Sequence, residues 1–191
     1  MSALRPALLA TILALGLPVG ASQPAGRPTE APGAAPAPAR QLLEQAKSKA
    51  KASGKGLLVG FHASWCGYCR KLQGILAQPS VKEVLDRRFV VTWVTVLERP
   101  GKEALENPGG KELFLEWSGG DTGIPFLATF DSSGRLVATS LRAGRDGNPA
   151  NIGLPARPPE VAHFVAMLRS ASPSLTDAEA AAVAAAFSKP S

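Results

Sequence analysis

The only two cysteines of this 191-residue chain stand two residues apart, in Trp65-Cys66-Gly67-Tyr68-Cys69, and no other feature constrains the fold as tightly. An apolar run, Gly56 to Phe61 (GLLVGF), precedes the pair, and a run of helical character, Arg70 to Gln78 (RKLQGILAQ), follows it. A strand that delivers C-x-x-C to a helix start places the first sulfur among unpaired backbone N–H groups, at the positive end of the helix dipole. A thiolate is stabilised there, with thiol pKa values of roughly 3.5–7.5. Because the thiolate is the nucleophile, Cys66 is the expected attacking group. Cys69, one helical turn later, is placed to close an intramolecular disulfide and release a trapped partner.

Two plainer readings compete with dithiol chemistry. C-x-x-C is half of many zinc sites, but a structural zinc wants four ligands and the chain has no second C-x-x-C. Its two histidines, His62 and His163, would have to complete the set; the first lies on an extended segment and the second in a distant helix. A purely structural disulfide closing so small a loop removes little entropy from the unfolded chain. Redox chemistry is the stronger expectation, and no metal ligand set and no cofactor is assigned.

The rest of the chain reads as alternating strands and helices. Arg40 to Ser53 puts Leu42, Leu43, Ala46 and Ala50 on one face of a helix that Gly54 ends. Gly56 to His62 is a buried strand and Cys66 to Gln78 a helix, which Pro79 ends or kinks; Ser80 to Glu83 forms a capping box for a continuation to Arg88. Phe89 to Val96 (FVVTWVTV) is β-branched and aromatic, a second strand. Lys111 to Trp117 is a short helix closed by Ser118 to Gly120. Phe126 to Phe130 and Leu136 to Leu141 flank the hairpin turn Asp131-Ser132-Ser133-Gly134. Pro158 to Ser170 is an amphipathic helix with Val161, Phe164, Val165 and Leu168 inward, and Thr176 to Glu179 caps a last helix running to about Ser188.

A second signal lies in Thr122 to Phe130 (TGIPFLATF), a turn and then a strand that begins at a proline, where no ladder hydrogen bond is lost. On Trp65, Cys66, Cys69, Ile124 and Pro125 the chain resembles the thioredoxin superfamily, across roughly Leu42 to Ala171. The resemblance implies an α/β thioredoxin fold, a mixed sheet of about four strands flanked by helices, here with an extra helix at each end. It implies Cys66 as nucleophile and Cys69 as resolving cysteine of a redox disulfide. It further implies a cis-proline at Ile124-Pro125 facing them, and substrate contacts from Trp65, Gly67, Tyr68, Ile124 and Pro125. Two departures stand out. The buried carboxylate that many relatives carry six residues before the first cysteine is replaced by Gly60, so another proton acceptor is needed when Cys69 resolves. His62 is the nearest candidate, but strand alternation makes it a packing or surface residue, pointing away from the helix. The second departure is the Gly67-Tyr68 dipeptide, which matches the Cys-Gly-Tyr-Cys of bacterial periplasmic disulfide isomerases; the potential falls in the broad range of ~−120 to −270 mV.

The N-terminus carries a location signal. Met1 to Ala21 holds Arg5, the apolar run Ala7 to Val19, and Val19-Gly20-Ala21, the pattern of a cleaved secretory leader. The apolar run is shorter than the ~20 residues that cross a bilayer, and Pro18 interrupts it; an uncleaved anchor is the alternative. No cysteine follows it, which excludes a lipoprotein anchor. Residues 22–39, rich in Pro, Ala and Gly, read as a disordered linker, and residues 40–191 as one thioredoxin-like domain. The chain is thus expected outside the cytoplasm, periplasmic or secreted, without stable membrane insertion once the leader is removed.

Charge adds little. Lys and Arg number 21 against 15 Asp and Glu, a net +6, but they are scattered and no aromatic-rich basic strip accompanies them, so nucleic acid is not an expected partner. Arg70 and Lys71 bring positive charge near Cys66. Residues 142–157 form a connection longer than a strand-to-helix link requires, a surface insertion or a functional loop. The expected function is an exported thiol–disulfide oxidoreductase acting on disulfides or thiols of exported proteins, recharged by a redox partner protein. The alternative is a thioredoxin-fold binding protein or soft-metal (copper) chaperone without turnover.

Overall fold

A strand that is apolar at every position must be covered on both faces, and β1, Gly56–His62, is buried along its length except at His62. In the computed structural model, which describes residues 35–144 and 146–188, β1 is central in a four-stranded sheet of order β2-β1-β3-β4. It pairs in parallel with β2 (Phe89–Thr95) and antiparallel with β3 (Phe126–Phe130), which pairs antiparallel with β4 (Leu136–Thr139). This is the mixed sheet of the thioredoxin fold. The described residues fall within one compact unit, Ala35–Ser191. The leader expected over 1–21, and the linker expected from 22 as far as residue 34, lie outside the described residues. Ala37 and Ala39 are tied to the body: Asn107 Nδ2 donates to Ala37 O at 2.9 Å and Ala39 N–H to Pro108 O at 2.9 Å.

Alternation along β1 sorts the two cores. Leu57, Val59 and Phe61 face α1 (Ala39–Ser53) and α4 (Gly110–Ser118), with Phe114 and Leu113 buried among them. Leu58 faces the other way, toward Leu72, Ile75 and Leu76 of α2 (Gly67–Leu76) and Val81, Val84 and Leu85 of α3 (Pro79–Arg88). Phe164 and Leu168 of α5 (Pro158–Ala171) and Val183 of α6 (Asp177–Phe187) complete that core. Of the stripes the spacing predicts, Leu43, Ala46 and Ala50 of α1 and Phe164 and Leu168 of α5 are buried. Leu42, Val161 and Val165 are half-buried at the edges, and Met167 takes an inward place on α5. Among the described residues no helix is long and apolar enough to cross a membrane.

Two local expectations change and one holds. The capping box at Ser80 to Glu83 does not form: α3 starts at Pro79, and its N-cap, Gln78, makes no side-chain cap bond. Proline at the first helical position has its φ already set and no N–H to satisfy, so it begins the helix upstream of Ser80. The strand expected over Leu136 to Leu141 breaks at the buried Ser140. After the break, β5 (Leu141–Ala143) turns to pair with β6 (Pro149–Asn151) in a separate two-stranded ribbon, so the long connection 142–157 holds structure of its own. The box at Thr176 does form. Thr176 Oγ1 accepts from Glu179 N–H at 3.2 Å, and Glu179 answers by accepting from Thr176 N–H at 2.9 Å.

Gly60 has a specific reason. It is paired with Trp93 in the β1–β2 register, and the Trp93 indole lies across the space a Cβ on Gly60 would occupy. The position that carries a carboxylate in many relatives is thus filled by an aromatic ring. Gly60→Asp is expected to destabilise the fold by at least about 1–3 kcal/mol through overpacking, with no gain in turnover. Urea unfolding checks it; wild-type stability in the variant would show that Trp93 moves freely.

Candidate active site

The end of β1 hands the chain to Ala63-Ser64-Trp65, and Cys66 follows as the N-cap of α2. Cys66 N–H donates to Ala63 O at 3.1 Å, which turns the chain into the helix. The Cys69 N–H then points at Cys66 Sγ from 3.1 Å. A helix N-terminus has free N–H donors of this kind, and one of them is spent on sulfur. Cys66 and Cys69 are joined as a disulfide, 5.3 Å apart at Cα. Both are buried, Cys69 completely and Cys66 with 4% of its surface exposed.

Ile124 and Pro125 lie at the same end of the sheet, in the loop that enters β3, whose first residue Phe126 pairs with Phe61 near the end of β1. The Ile124-Pro125 bond is cis. Ile124 packs against the small cluster of Ala63, Cys66 and Cys69, and its carbonyl lies 3.8 Å from Cys66 Sγ. In the dithiol form that carbonyl is an available acceptor for the Cys66 thiol. Trp65 and Tyr68 are exposed, at 41% and 71%, and Gly67 is exposed between the cysteines. The structure thus brings together Cys66, Cys69, Ile124 and Pro125, with Trp65, Gly67 and Tyr68 on the surface around them.

A second loop, which the sequence did not single out, braces this surface. Trp65 Nε1 donates to Leu97 O at 2.7 Å, with the Arg99 guanidinium 5.4 Å over the indole ring. Leu97 sits at φ 55, in the left-handed region that non-glycine residues enter at a cost. Next to it, Glu98 accepts from Ser64 N–H at 2.5 Å and from Ser64 Oγ–H at 2.7 Å. Arg70 is the charge nearest the cysteines in sequence, and its guanidinium donates to Ser64 O at 2.7 Å, so it serves the loop. Glu98 follows a strand and belongs to no motif; only the fold shows that it meets Ser64.

His62 corrects an expectation. It lies on the same face of β1 as Leu58 and Gly60 and so turns toward α2, not away from it. Its Nδ1 is 3.5 Å from Gln73 Nε2, its Nε2 3.3 Å from Thr95 Oγ1, and its ring meets Trp93 edge-on at 5.5 Å. Alternation was the right rule, but the face that Gly60 shares with the active-site helix sets the direction. Burial lowers the His62 pKa below 6.5, with the Glu98 carboxylate pulling it upward. The unfolded chain therefore takes up this proton first as pH falls. The stabilisation from neutral His62 is fully present above 6.5 and is lost as pH drops through the lower folded value. Urea unfolding between about pH 7.5 and about pH 5 is expected to show a steeper decline in wild type than in His62→Gln; parallel declines would contradict this.

His163, the other histidine weighed as a metal ligand, sits on α5 with Nε2 3.0 Å from Thr139 O. Among the described residues no group of three or more His, Cys, Asp or Glu side chains is placed to hold a metal ion. A cleft of about 450 Å³ lies beside the β5–β6 ribbon, lined by Arg142, Asn151, Arg157 and Glu160 among others, and includes neither cysteine.

A family model described as thioredoxin-like matches residues 39–132. Among solved structures, the chain is similar to a disulphide isomerase from Xylella fastidiosa Temecula1, at 24% identity over 58% of this chain and 79% of that one, with a TM-score of 0.44. It is similar also to a thioredoxin from Thermus thermophilus, at 26% identity over 70% and 82% of the two chains, TM-score 0.39. A third is the oxidised C-terminal domain of DsbD from Neisseria meningitidis, at 22% identity over 56% and 84%, TM-score 0.39. No curated protein matches.

Proposed function

We propose, from the premise that this chain carries a thioredoxin-like domain over residues 39–132, that it is an exported thiol–disulfide oxidoreductase acting on the disulfides of client proteins. The observation that carries the reading is the Cys66–Cys69 disulfide at the start of α2, with the Cys69 N–H aimed at Cys66 Sγ. In the reduced protein the same donor would face a thiolate and favour that form, together with the helix dipole.

The cycle follows from that polarity. The Cys66 thiolate attacks one sulfur of a client disulfide; an S–S bond forms to the client as the client's own S–S bond breaks, and one client thiolate leaves. Cys69 then loses its proton and attacks Cys66 Sγ, which forms the intramolecular disulfide and releases the second client thiolate. The client is reduced by two electrons and takes up two protons; the Cys66–Cys69 pair is oxidised by the same two electrons. An external dithiol of a redox partner restores it. Run with a client that is re-attacked before release, the same steps rearrange disulfides. Trp65, Gly67, Tyr68, Ile124 and Pro125 form the surface that the client chain meets, the exposed indole and phenol offering apolar contact. Trp93 occupies the place of the carboxylate, so the Cys69 proton leaves to water or another base.

Export rests on the leader pattern of residues 1–21, and the domain is then carried behind the Pro- and Ala-rich segment 22–39. The mature protein is expected to begin at Ser22 in an extracytoplasmic fraction; an unprocessed chain in the cytoplasm would remove this part. The exchange chemistry is tested by iodoacetamide at pH 6 to 7. Cys66, left as a free thiol in Cys69→Ser, is expected to react much faster than Cys69 in Cys66→Ser. Equal rates, or a faster Cys69, would reverse the assignment.

A further inference from the structure

The loop that brings Ile124 and Pro125 to the cysteines has little to hold it. Gly119, Gly120 and Gly123 all have positive φ (69, 143 and 78), and among the described residues no backbone–backbone hydrogen bond joins Gly120 to Ile124 into the surrounding loops. A glycine-rich segment of this kind loses much conformational freedom when it is fixed in one shape. Something outside the loop must supply the constraint.

We infer that Asn151, at the end of β6, is a positioning residue that holds this loop against Cys66. A primary amide offers two N–H donors and one carbonyl, and here both ends are used. Asn151 Nδ2 donates to Gly123 O at 2.8 Å and to Pro125 O at 3.0 Å, with Thr122 O at 3.4 Å beside them. The two close acceptors bracket Ile124, whose own carbonyl faces Cys66 Sγ. The other end of the amide is anchored. Asn151 Oδ1 accepts from Ser140 Oγ–H at 2.8 Å and from Gly153 N–H at 3.0 Å. Ser140 is fully buried, and its Oγ accepts from Leu127 N–H at 2.9 Å. Its N–H donates to Leu127 O at 2.8 Å and its carbonyl accepts from Ile152 N–H at 2.9 Å. The strand β3 that follows Pro125 is thereby linked through Ser140 and Asn151 back to the loop that precedes it. The break between β4 and β5 at Ser140, and the β5–β6 ribbon after it, have a use in this arrangement: they return Asn151 to the active-site loop.

The role assigned to Asn151 in turnover rests on the oxidoreductase reading; its hold on the loop does not. Asn151→Asp keeps the shape and the acceptor oxygen but removes both donors and sets a carboxylate against the loop carbonyls; Asn151→Ala removes the amide without adding charge. In both, the ¹⁵N order parameters of Gly123 and Ile124 are expected to fall from the rigid range near about 0.85 to below about 0.6. The KM for insulin in dithiothreitol-driven reduction is expected to rise about tenfold or more, while the reaction of reduced Cys66 with dithiobis(nitrobenzoate), a small disulfide that needs no extended docking, stays within about twofold. Unchanged order parameters overturn the inference whatever the activity. Equal losses on insulin and on the small disulfide also overturn it, since Asn151 would then serve the fold at large. A wild type that leaves insulin intact, with order parameters that still fall in the variants, would sink the oxidoreductase reading and leave the hold on the loop supported.

Discussion

Cys69→Ser is expected to accumulate covalent complexes with client proteins, and Cys66→Ser to accumulate none. The first variant keeps the nucleophile at the N-cap of α2 and removes the group that would displace the client, so attack proceeds and release stops. The second removes the sulfur that α2 serves, and turnover is expected to fall at least about 10³-fold, to the background of uncatalysed exchange. Non-reducing electrophoresis after acid quenching in the native compartment reads both outcomes, with a reducing lane as the control. An empty trap in Cys69→Ser with Cys66 still reactive toward iodoacetamide would favour a dithiol that binds a partner or a soft metal ion without turnover. Traps of equal yield in the two variants would mean that the order of attack is not set by the helix.

Phe61→Ala is expected to cost about 3–5 kcal/mol of folding stability, a large share of the ~5–15 kcal/mol that typical domains possess. Phe61 is fully buried one position before the end of β1, and its ring meets Phe114, Trp117 and Phe126 at 5.8, 5.5 and 5.9 Å between centroids. The surrounding rings are themselves close-packed and relax only partly into the vacated space, so a cavity remains. Because Phe61 seats the end of β1 from which Ala63 to Cys66 depart, the variant is expected to lose activity as it loses structure, both recovering toward wild type in Phe61→Leu. Chemical denaturation of the three proteins checks the order; a Phe61→Ala midpoint near that of wild type would show that this aromatic cluster is not the support of the strand.

What the sequence disclosed was what neighbours in sequence decide. Cys66 and Cys69 read correctly as a pair at a helix start because a strand, two cysteines and a helix follow one another without a gap. The Asp131 to Gly134 turn and the Thr176–Glu179 capping box are equally local, and both formed. Ser80 to Glu83 has the same letters as a capping box but lost to Pro79, since a residue with its φ already set starts the helix earlier. Relations across the sheet stayed out of reach. That Trp93 covers Gly60 depends on the parallel register of β1 and β2, and the direction of His62 on which face of β1 receives α2. Glu98 meets Ser64 across 34 positions and Asn151 meets Gly123 across 28, each from a segment whose composition signals only a loop or a short ribbon. Side chains that brace a loop carry no periodicity, and the fold alone assembles them.

The equilibrium reduction potential of the Cys66–Cys69 couple, titrated against glutathione buffers, tests the central claim most directly. A working dithiol at a helix start is predicted to titrate as a two-electron couple within ~−120 to −270 mV, where cellular partners can both reduce and oxidise it. A couple that stays oxidised until potentials below about −300 mV, the regime of structural disulfides, would contradict the account.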